Sequence, residues 1–323
     1  MRKRPLLTAS LAVLIAASMA AIGLVAVPGV SQAAAKHAKK TPLLYLSLGD
    51  SYSVGYQPPN GTFAGGATAG YTAYVAKKAK MTLENFGCGG ATTMSIITAI
   101  GCTESGYGPV ASVNPVPYPT TTQEQAALDF IQANPGKVGL VTISIGGNDV
   151  TSCAGAGDTG AIFTCIGNAD ASITANVTGM VSALDAALTA NNDTTAKIVG
   201  LTYPDVILGD WVYPAASPNK SLAGLSVIAF HTFINPTLQS AYLSSATRGS
   251  FVNVTEAPYK LATSGSETPT TVMQKVKGYG TAPIPVSVAE ICKLTYFCSL
   301  GNIHANDKGY KFIGQLIAAD LGL

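Results

Sequence analysis

Ser51 stands in Gly49-Asp50-Ser51-Tyr52-Ser53, directly after the apolar run Leu43–Leu48. A serine at the carboxyl end of a strand occupies the place where reactive groups gather in open α/β sheets. Asp and Ser at that place also serve as ordinary helix caps, so the segment does not decide alone. Gly146-Gly147-Asn148-Asp149 follows the β-branched run Val138–Ile145. Glycines there let backbone approach a ligand while the Asn148 amide donates hydrogen bonds, and a plain turn would use the same residues. Gly87-Cys88-Gly89-Gly90-Ala91-Thr92-Thr93 follows a third short apolar run, and its N–H groups suit an anion. The chain holds 3 histidines. His37 lies near the start and His231 in an apolar helical stretch. His304, in Gly301-Asn302-Ile303-His304, is therefore the candidate base for a serine nucleophile.

These residues need a scaffold that brings strand ends together, and the hydrophobic pattern supplies one. Leu43–Leu48, Leu83–Phe86, Val138–Ile145, Lys197–Thr202 and Phe251–Val254 read as strands. Tyr71–Lys80, Gln123–Ala133, Asp170–Ala190, Leu222–Leu243 (interrupted at Pro236) and Tyr310–Leu321 read as helices. Strands alternating with helices predict an α/β fold with a parallel sheet covered on both faces. Stretches 101–122, 153–168, 209–221 and 260–290 are rich in Gly, Pro and Thr and read as long loops that shape a site. Tyr56, Phe63, Tyr203, Trp211 and Tyr213 are candidates to line an acyl groove or to fill the core.

Together the four blocks resemble the SGNH/GDSL hydrolase superfamily: Gly49-Asp50-Ser51, Gly90, Gly147-Asn148-Asp149 and His304, in that order across residues 45–310. Size, amino terminus and cysteines look most like its secreted actinobacterial lipase and esterase branch. The resemblance implies a three-layer α/β/α sandwich with a central, mostly parallel five-stranded sheet. It implies Ser51 as nucleophile, His304 as general base and acid, and an oxyanion hole from the Ser51 and Gly90 N–H groups and the Asn148 amide. No cofactor and no metal are implied. The family commonly places an Asp three residues before the histidine, where this chain has Gly301. In a subset of relatives a main-chain carbonyl at that place accepts the histidine Nδ1–H. The expectation is therefore a Ser51–His304 dyad oriented by the Gly301 carbonyl, with Gly301→Asp tolerated and Asp307 pointing elsewhere.

Arg2, Lys3 and Arg4 precede an apolar run from about Leu6 to Val27 and the small residues Ser31-Gln32-Ala33-Ala34-Ala35. This is the pattern of a secretory signal peptide over 1–33, although the run is also long enough for an uncleaved anchor. A flexible leader over 34–42 and one hydrolase domain over 43–323 follow, with no later segment expected to span a membrane. Of the 19 basic residues, 16 then remain against 17 acidic ones, a net of −1. With 11% charged residues, disordered, coiled-coil and nucleic-acid-binding classes are excluded.

Cys88, Cys102, Cys153, Cys165, Cys292 and Cys298 are even in number. Six cysteines permit 15 pairings. The sequence-adjacent set, Cys88–Cys102, Cys153–Cys165 and Cys292–Cys298, closes three local loops and is the expected one, fitting an oxidising compartment. Gly155–Gly160 formally fits GxGxxG but opens no βαβ unit, and no G-x-S-x-G or P-loop is present. The expectation is a secreted monomer acting on a small-molecule or lipid ester. A carbohydrate acetyl esterase, an acyltransferase and a non-catalytic binding module on the same fold are the competing readings.

Overall fold

The computed structural model describes residues 41–58, 66–102, 111–245, 247–256 and 271–323. The expected signal peptide, nearly all of the leader and Phe63 lie outside the described residues. In chain order the strands are β1 (Leu44–Gly49), β2 (Tyr56–Gln57), β3 (Gly66–Ala67), β4 (Thr82–Asn85), β5 (Val138–Ser144), β6 (Lys197–Leu201), β7 (Gly249–Val252), β8 (Thr271–Val276) and β9 (Gly280–Pro285). The helices are α1 (Ser51–Val54), α2 (Gly70–Ala79), α3 (Ser95–Thr98), α4 (Gln123–Ala133), α5 (Gly147–Thr151), α6 (Thr159–Ala190), α7 (Lys220–Ala229), α8 (Asn235–Tyr242), α9 (Val286–Leu294), α10 (Phe297–Leu300) and α11 (Asp307–Asp320).

The main sheet has five strands in the order β4-β1-β5-β6-β7, every neighbouring pair parallel. Strands buried on both faces carry apolar residues on both. Leu46, Leu48, Val141, Ile143 and Ile198 face a core shared with α4, α6 and α8. Tyr45, Leu140, Val199 and Leu201 face a second core that includes Tyr71 and Val75 of α2 and Tyr310, Ile313 and Ile317 of α11. The result is the α/β/α sandwich that the sequence predicts. Counting only sheet strands, the chain runs outward from β1 to β4, then returns to β5 on its other side. The crevice between the carboxyl ends of β1 and β5 is thus the topological switch point, where ligands bind in such sheets.

Four expectations are corrected. Residues 153–168 are mostly helical, because Asp158 caps α6 by accepting the Ala161 N–H at 2.9 Å. Ile162 and Ile166 are buried one turn apart, so α6 starts well before Asp170 despite its glycines. Residues 260–290 contain the antiparallel β8–β9 hairpin and the start of α9, and 206–211 form a 3-10 helix. Lys220–Tyr242 is a 23-residue rod long and apolar enough to cross a membrane by length and composition, whereas the sequence reading expected no such segment after the amino-terminal run. One side of the rod is core, with Ala223, Ala229, Ile234, Leu238 and Ala241 buried. Pro236 lies inside the rod, at the start of α8, where it has no N–H to give to the helical ladder. A π-turn over Phe230–Ile234 precedes it.

The cysteines join as Cys88–Cys102, Cys153–Cys165 and Cys292–Cys298. The first bridge joins segments on either side of α3, the second ties the turn after α5 to α6, and the third ties α9 to α10.

Candidate active site

The β1–α1 turn needs glycine at position 49. Gly49 has φ +131°, and a Cβ there would lie 2.1 Å from the Ser144 carbonyl oxygen. That close approach lets Asp50 N–H bond the same carbonyl at 3.0 Å, so the Ser51 turn is stitched to the end of β5. Buried Gln123 grips the Gly49 peptide from both sides, accepting its N–H at 2.6 Å and donating to its carbonyl at 3.1 Å. Asp50 caps α1 by accepting the Tyr52 N–H at 2.9 Å. Ser51 is the first residue of α1, so its N–H has no acceptor within the helix.

The Asp50 carboxyl is buried. Its Oδ2 accepts the Tyr203 hydroxyl at 2.6 Å and faces Asn148 Nδ2 at 3.4 Å. Burial, opposed by the Tyr203 hydrogen bond, raises its pKa to about 7. Asn148 Nδ2 donates to the Ala91 carbonyl at 2.8 Å, tying the β5–α5 turn to the turn that carries Gly90. Gly90 is exposed with φ +72°. Asp149 accepts the Thr93 N–H at 2.9 Å and the Thr93 hydroxyl at 2.6 Å, which makes it an anchor between the same two turns.

His304 reaches Ser51 from the loop between α10 and α11. Its Nε2 lies 2.8 Å from Ser51 Oγ. Tyr52 donates its hydroxyl to the Ile303 carbonyl at 2.6 Å, and its ring lies 5.8 Å from the imidazole. The Tyr56 ring lies 4.4 Å away on a tilted approach. Burial lowers the His304 pKa to about 4, so the imidazole is neutral at pH 7 and able to accept a proton.

The expected role of Gly301 is corrected. Nδ1 of His304 lies 2.9 Å from Asn302 Oδ1, so the partner is a side-chain amide two residues upstream, not the Gly301 carbonyl. Gly301 ends α10 in the left-handed region at φ +65°, and a Cβ there would lie 2.6 Å from Tyr213 Cε1. It is a chain-reversal glycine, and Asp in its place would be strained and crowded. Asp307 faces Gln57, whose Nε2 donates to Oδ1 at 2.9 Å.

Ser51, Asp50, Tyr52, Asn148 and Ile303 open onto a groove of about 810 Å³, solvent at its mouth included. Beyond them it is apolar and mostly aliphatic: Ile162 and Ile166 of α6, Val206 and Ile207, Leu222 and Leu225 of α7, and Ile234 of the π-turn, with the Phe230 ring beside them. Of the aromatic residues singled out in the sequence, Tyr203 lines this groove and Tyr56 packs on His304. Trp211 and Tyr213 pack instead against a third cluster built from α9, α10 and the 206–211 turn. Among the described residues no group of three or more His, Cys, Asp or Glu side chains converges to hold a metal ion.

Sequence reasoning missed Asn302, Gln123, Tyr203 as the partner of Asp50, and the aliphatic wall from α6. The one signal that could have found Asn302 is its spacing, since an Asn two residues before a histidine can fold its amide back onto that residue's N–H.

A serine beside a histidine at the switch point of a parallel sheet, with an amide and glycine turns next to it, defines the class. Residues 47–226 match the GDSL-like Lipase/Acylhydrolase family, which is more than half of the chain, and the chain belongs to that family. Among solved structures it is similar to an extracellular lipase from Streptomyces rimosus, at 19% identity and a TM-score of 0.43, over 86% of this chain and 99% of that one. It is similar to a lipase from a goat rumen metagenome, at 16% identity and a TM-score of 0.49, over 86% and 96%. It is also similar to an acetylxylan esterase from Geobacillus stearothermophilus, at 13% identity and a TM-score of 0.43, over 88% and 95%. No curated protein sequence matches it.

Proposed function

We propose that this chain is a secreted serine esterase or lipase that hydrolyses carboxylic esters through an acyl-serine intermediate. The observation that carries the reading is the 2.8 Å contact of Ser51 Oγ with His304 Nε2 at the rim of an aliphatic groove. Ser51 Oγ attacks the ester carbonyl while His304 takes its proton and returns it to the departing alcohol. The developing oxyanion is held by the N–H groups of Ser51 and Gly90 and by the Asn148 amide. Water, activated by the same histidine, then frees the acid.

The groove favours an acyl chain over an acetylated sugar. Aliphatic walls gain free energy from burying methylenes, about 0.8 kcal/mol each, and offer few partners for sugar hydroxyls. Membership of the acylhydrolase family supports the ester substrate. The three disulfides support an oxidising destination and hence removal of 1–33 as a signal peptide. The leader over 34–42 and a monomeric domain over 43–323 complete the proposal.

Hydrolysis of p-nitrophenyl acetate, butyrate, octanoate and palmitate by wild type and Ser51→Ala tests it. The expected outcome is a rise in kcat/KM from acetate to octanoate that vanishes in the variant. Equal turnover by folded Ser51→Ala would remove the serine mechanism. Acetate as the best substrate would remove the acyl-groove reading.

A further inference from the structure

Asn302 Oδ1 receives two groups of His304 at once: the backbone N–H at 3.1 Å and Nδ1 at 2.9 Å. A backbone N–H can only donate, so the atom it meets must be the amide oxygen. An amide oxygen can only accept. Nδ1 therefore carries the proton, and Nε2 presents its lone pair to the Ser51 hydroxyl. The short turn that shapes the loop thus also selects the tautomer that a base needs.

The partner so fixed is uncharged, and the surroundings add no charge to it. From α1, Ser51 and Tyr52 face the ring, and Tyr56 follows from β2. From the segment before α10, the Tyr296 N–H binds the His304 carbonyl at 3.0 Å, and its hydroxyl meets Gln57 Oε1 at 3.1 Å. From α11, Tyr310 donates to the Tyr56 carbonyl and Asp307 is held by Gln57. From the end of β1, Asp50 is held by Tyr203, and Asn148 is the residue facing from α5. None of these carboxyls bonds the imidazole.

Resting on the serine–histidine reading above, we propose that Asn302 is the positioning residue for His304, fixing its working tautomer without charge, and that this neutral support keeps ester hydrolysis active in acid. A carboxylate in the same place would favour the imidazolium and hold the histidine protonated to higher pH. The exchange has two sides. A neutral amide stabilises the transition-state imidazolium less than a carboxylate would, while the free base survives at lower pH. Burial without a counter-charge, with the His304 pKa at about 4, acts in the same direction.

The test is the pH dependence of kcat/KM for p-nitrophenyl butyrate, which reports the free enzyme's base, followed at the isosbestic wavelength of p-nitrophenol. The full chain is compared as wild type, Asn302→Asp, Asn302→Leu and Ser51→Ala, each checked for folding by circular dichroism. Wild type is expected to keep its activity down to about pH 5, and Asn302→Asp to move the acid limb up by about one unit or more. Asn302→Leu is expected to lose about 10²-fold or more in kcat with KM within about twofold, because the tautomer is no longer fixed. If Asn302→Leu fails to fold, the near-isosteric Asp variant decides. A wild-type acid limb at the ordinary histidine value of about 6.5, unmoved in Asn302→Asp, would overturn this assignment while leaving the serine mechanism intact. Activity retained in Ser51→Ala would overturn the serine mechanism itself.

Discussion

Ser51 is placed by the end of a sheet strand, whereas His304 is placed by a loop outside the sheet. The nucleophile turn leaves β1 through Gly49, bonds its Asp50 N–H to the end of β5 and begins a capped helical turn. Its position is set by the sheet end, with the buried Gln123 and Asn85 side chains adding to the backbone and cap hydrogen bonds. The histidine loop, 301–306, ends no strand of the main sheet. It is tied down by the Tyr52 hydroxyl on the Ile303 carbonyl, by Asn302 on the His304 ring and N–H, and by Asn306 capping α11 through Lys308 and Gly309 N–H. One bridge between Thr295 and Ala305 supplements them. A sheet-built turn is fixed by the fold itself, but a loop of this kind depends on individual side chains. Single substitutions should therefore separate activity from stability in the histidine loop more readily than in the nucleophile turn.

The largest effects are expected from removing either of the proposed reacting groups, which erases the comparison. Ser51→Ala and His304→Ala are each expected to lower kcat at least about 10⁴-fold, with melting temperatures near wild type. Turnover surviving in His304→Ala at more than a few per cent would mean that another base serves Ser51. Asn148→Ala, at the sheet-built side, should lower kcat by about 10²–10³-fold with little change in KM. A pure KM effect would mark Asn148 as a ground-state contact instead.

Gly301→Asp probes the backbone of the histidine loop. Left-handed φ and the clash with Tyr213 are expected to cost about 1–3 kcal/mol of stability, read as a lower melting temperature. An unchanged melting temperature with a raised pH optimum would restore the carboxylate geometry that the wider family uses at this spacing. Tyr52→Phe is the mildest probe, deleting one hydroxyl bond worth about 0.5–1.5 kcal/mol. It is expected to reduce kcat up to about tenfold at constant KM, since the ring packing on His304 and Tyr203 remains. A loss confined to thermal stability would show that the bond supports the loop without aiming the histidine.

The same contrast explains what the sequence revealed. Gly49-Asp50-Ser51 and Gly147-Asn148 were legible because strand patterning puts them at the sheet's carboxyl edge, and order along the chain tied them to His304. All five sheet strands were legible to within a few residues: β1, β5 and β6, buried on both faces, read as near-unbroken apolar runs, and the half-exposed edge strands β4 and β7 as shorter ones. Asn302 was not legible as the partner of His304, because an amide folding back over two residues leaves no hydrophobic period to read. Nor was the early start of α6. Glycines 155, 157, 160 and 167 lower helix propensity, but the Asp158 cap, burial of Ile162 and Ile166 and the Cys153–Cys165 bridge override it. With that stretch of helix went Ile162 and Ile166 of the groove wall. Trp211 and Tyr213 were left open between groove and core, because a bulky ring in a loop carries no sign of which cluster it joins; both pack on the third cluster.

The most direct test of the central claim is active-site labelling. Purified protein is treated with a fluorophosphonate ester, and the adduct is located by peptide mass spectrometry alongside residual butyrate hydrolysis. The account requires a single phosphonyl group on Ser51, activity lost in proportion to labelling, and no adduct in Ser51→Ala. Full hydrolysis with Ser51 unmodified, or an adduct elsewhere that tracks the loss of activity, would contradict it.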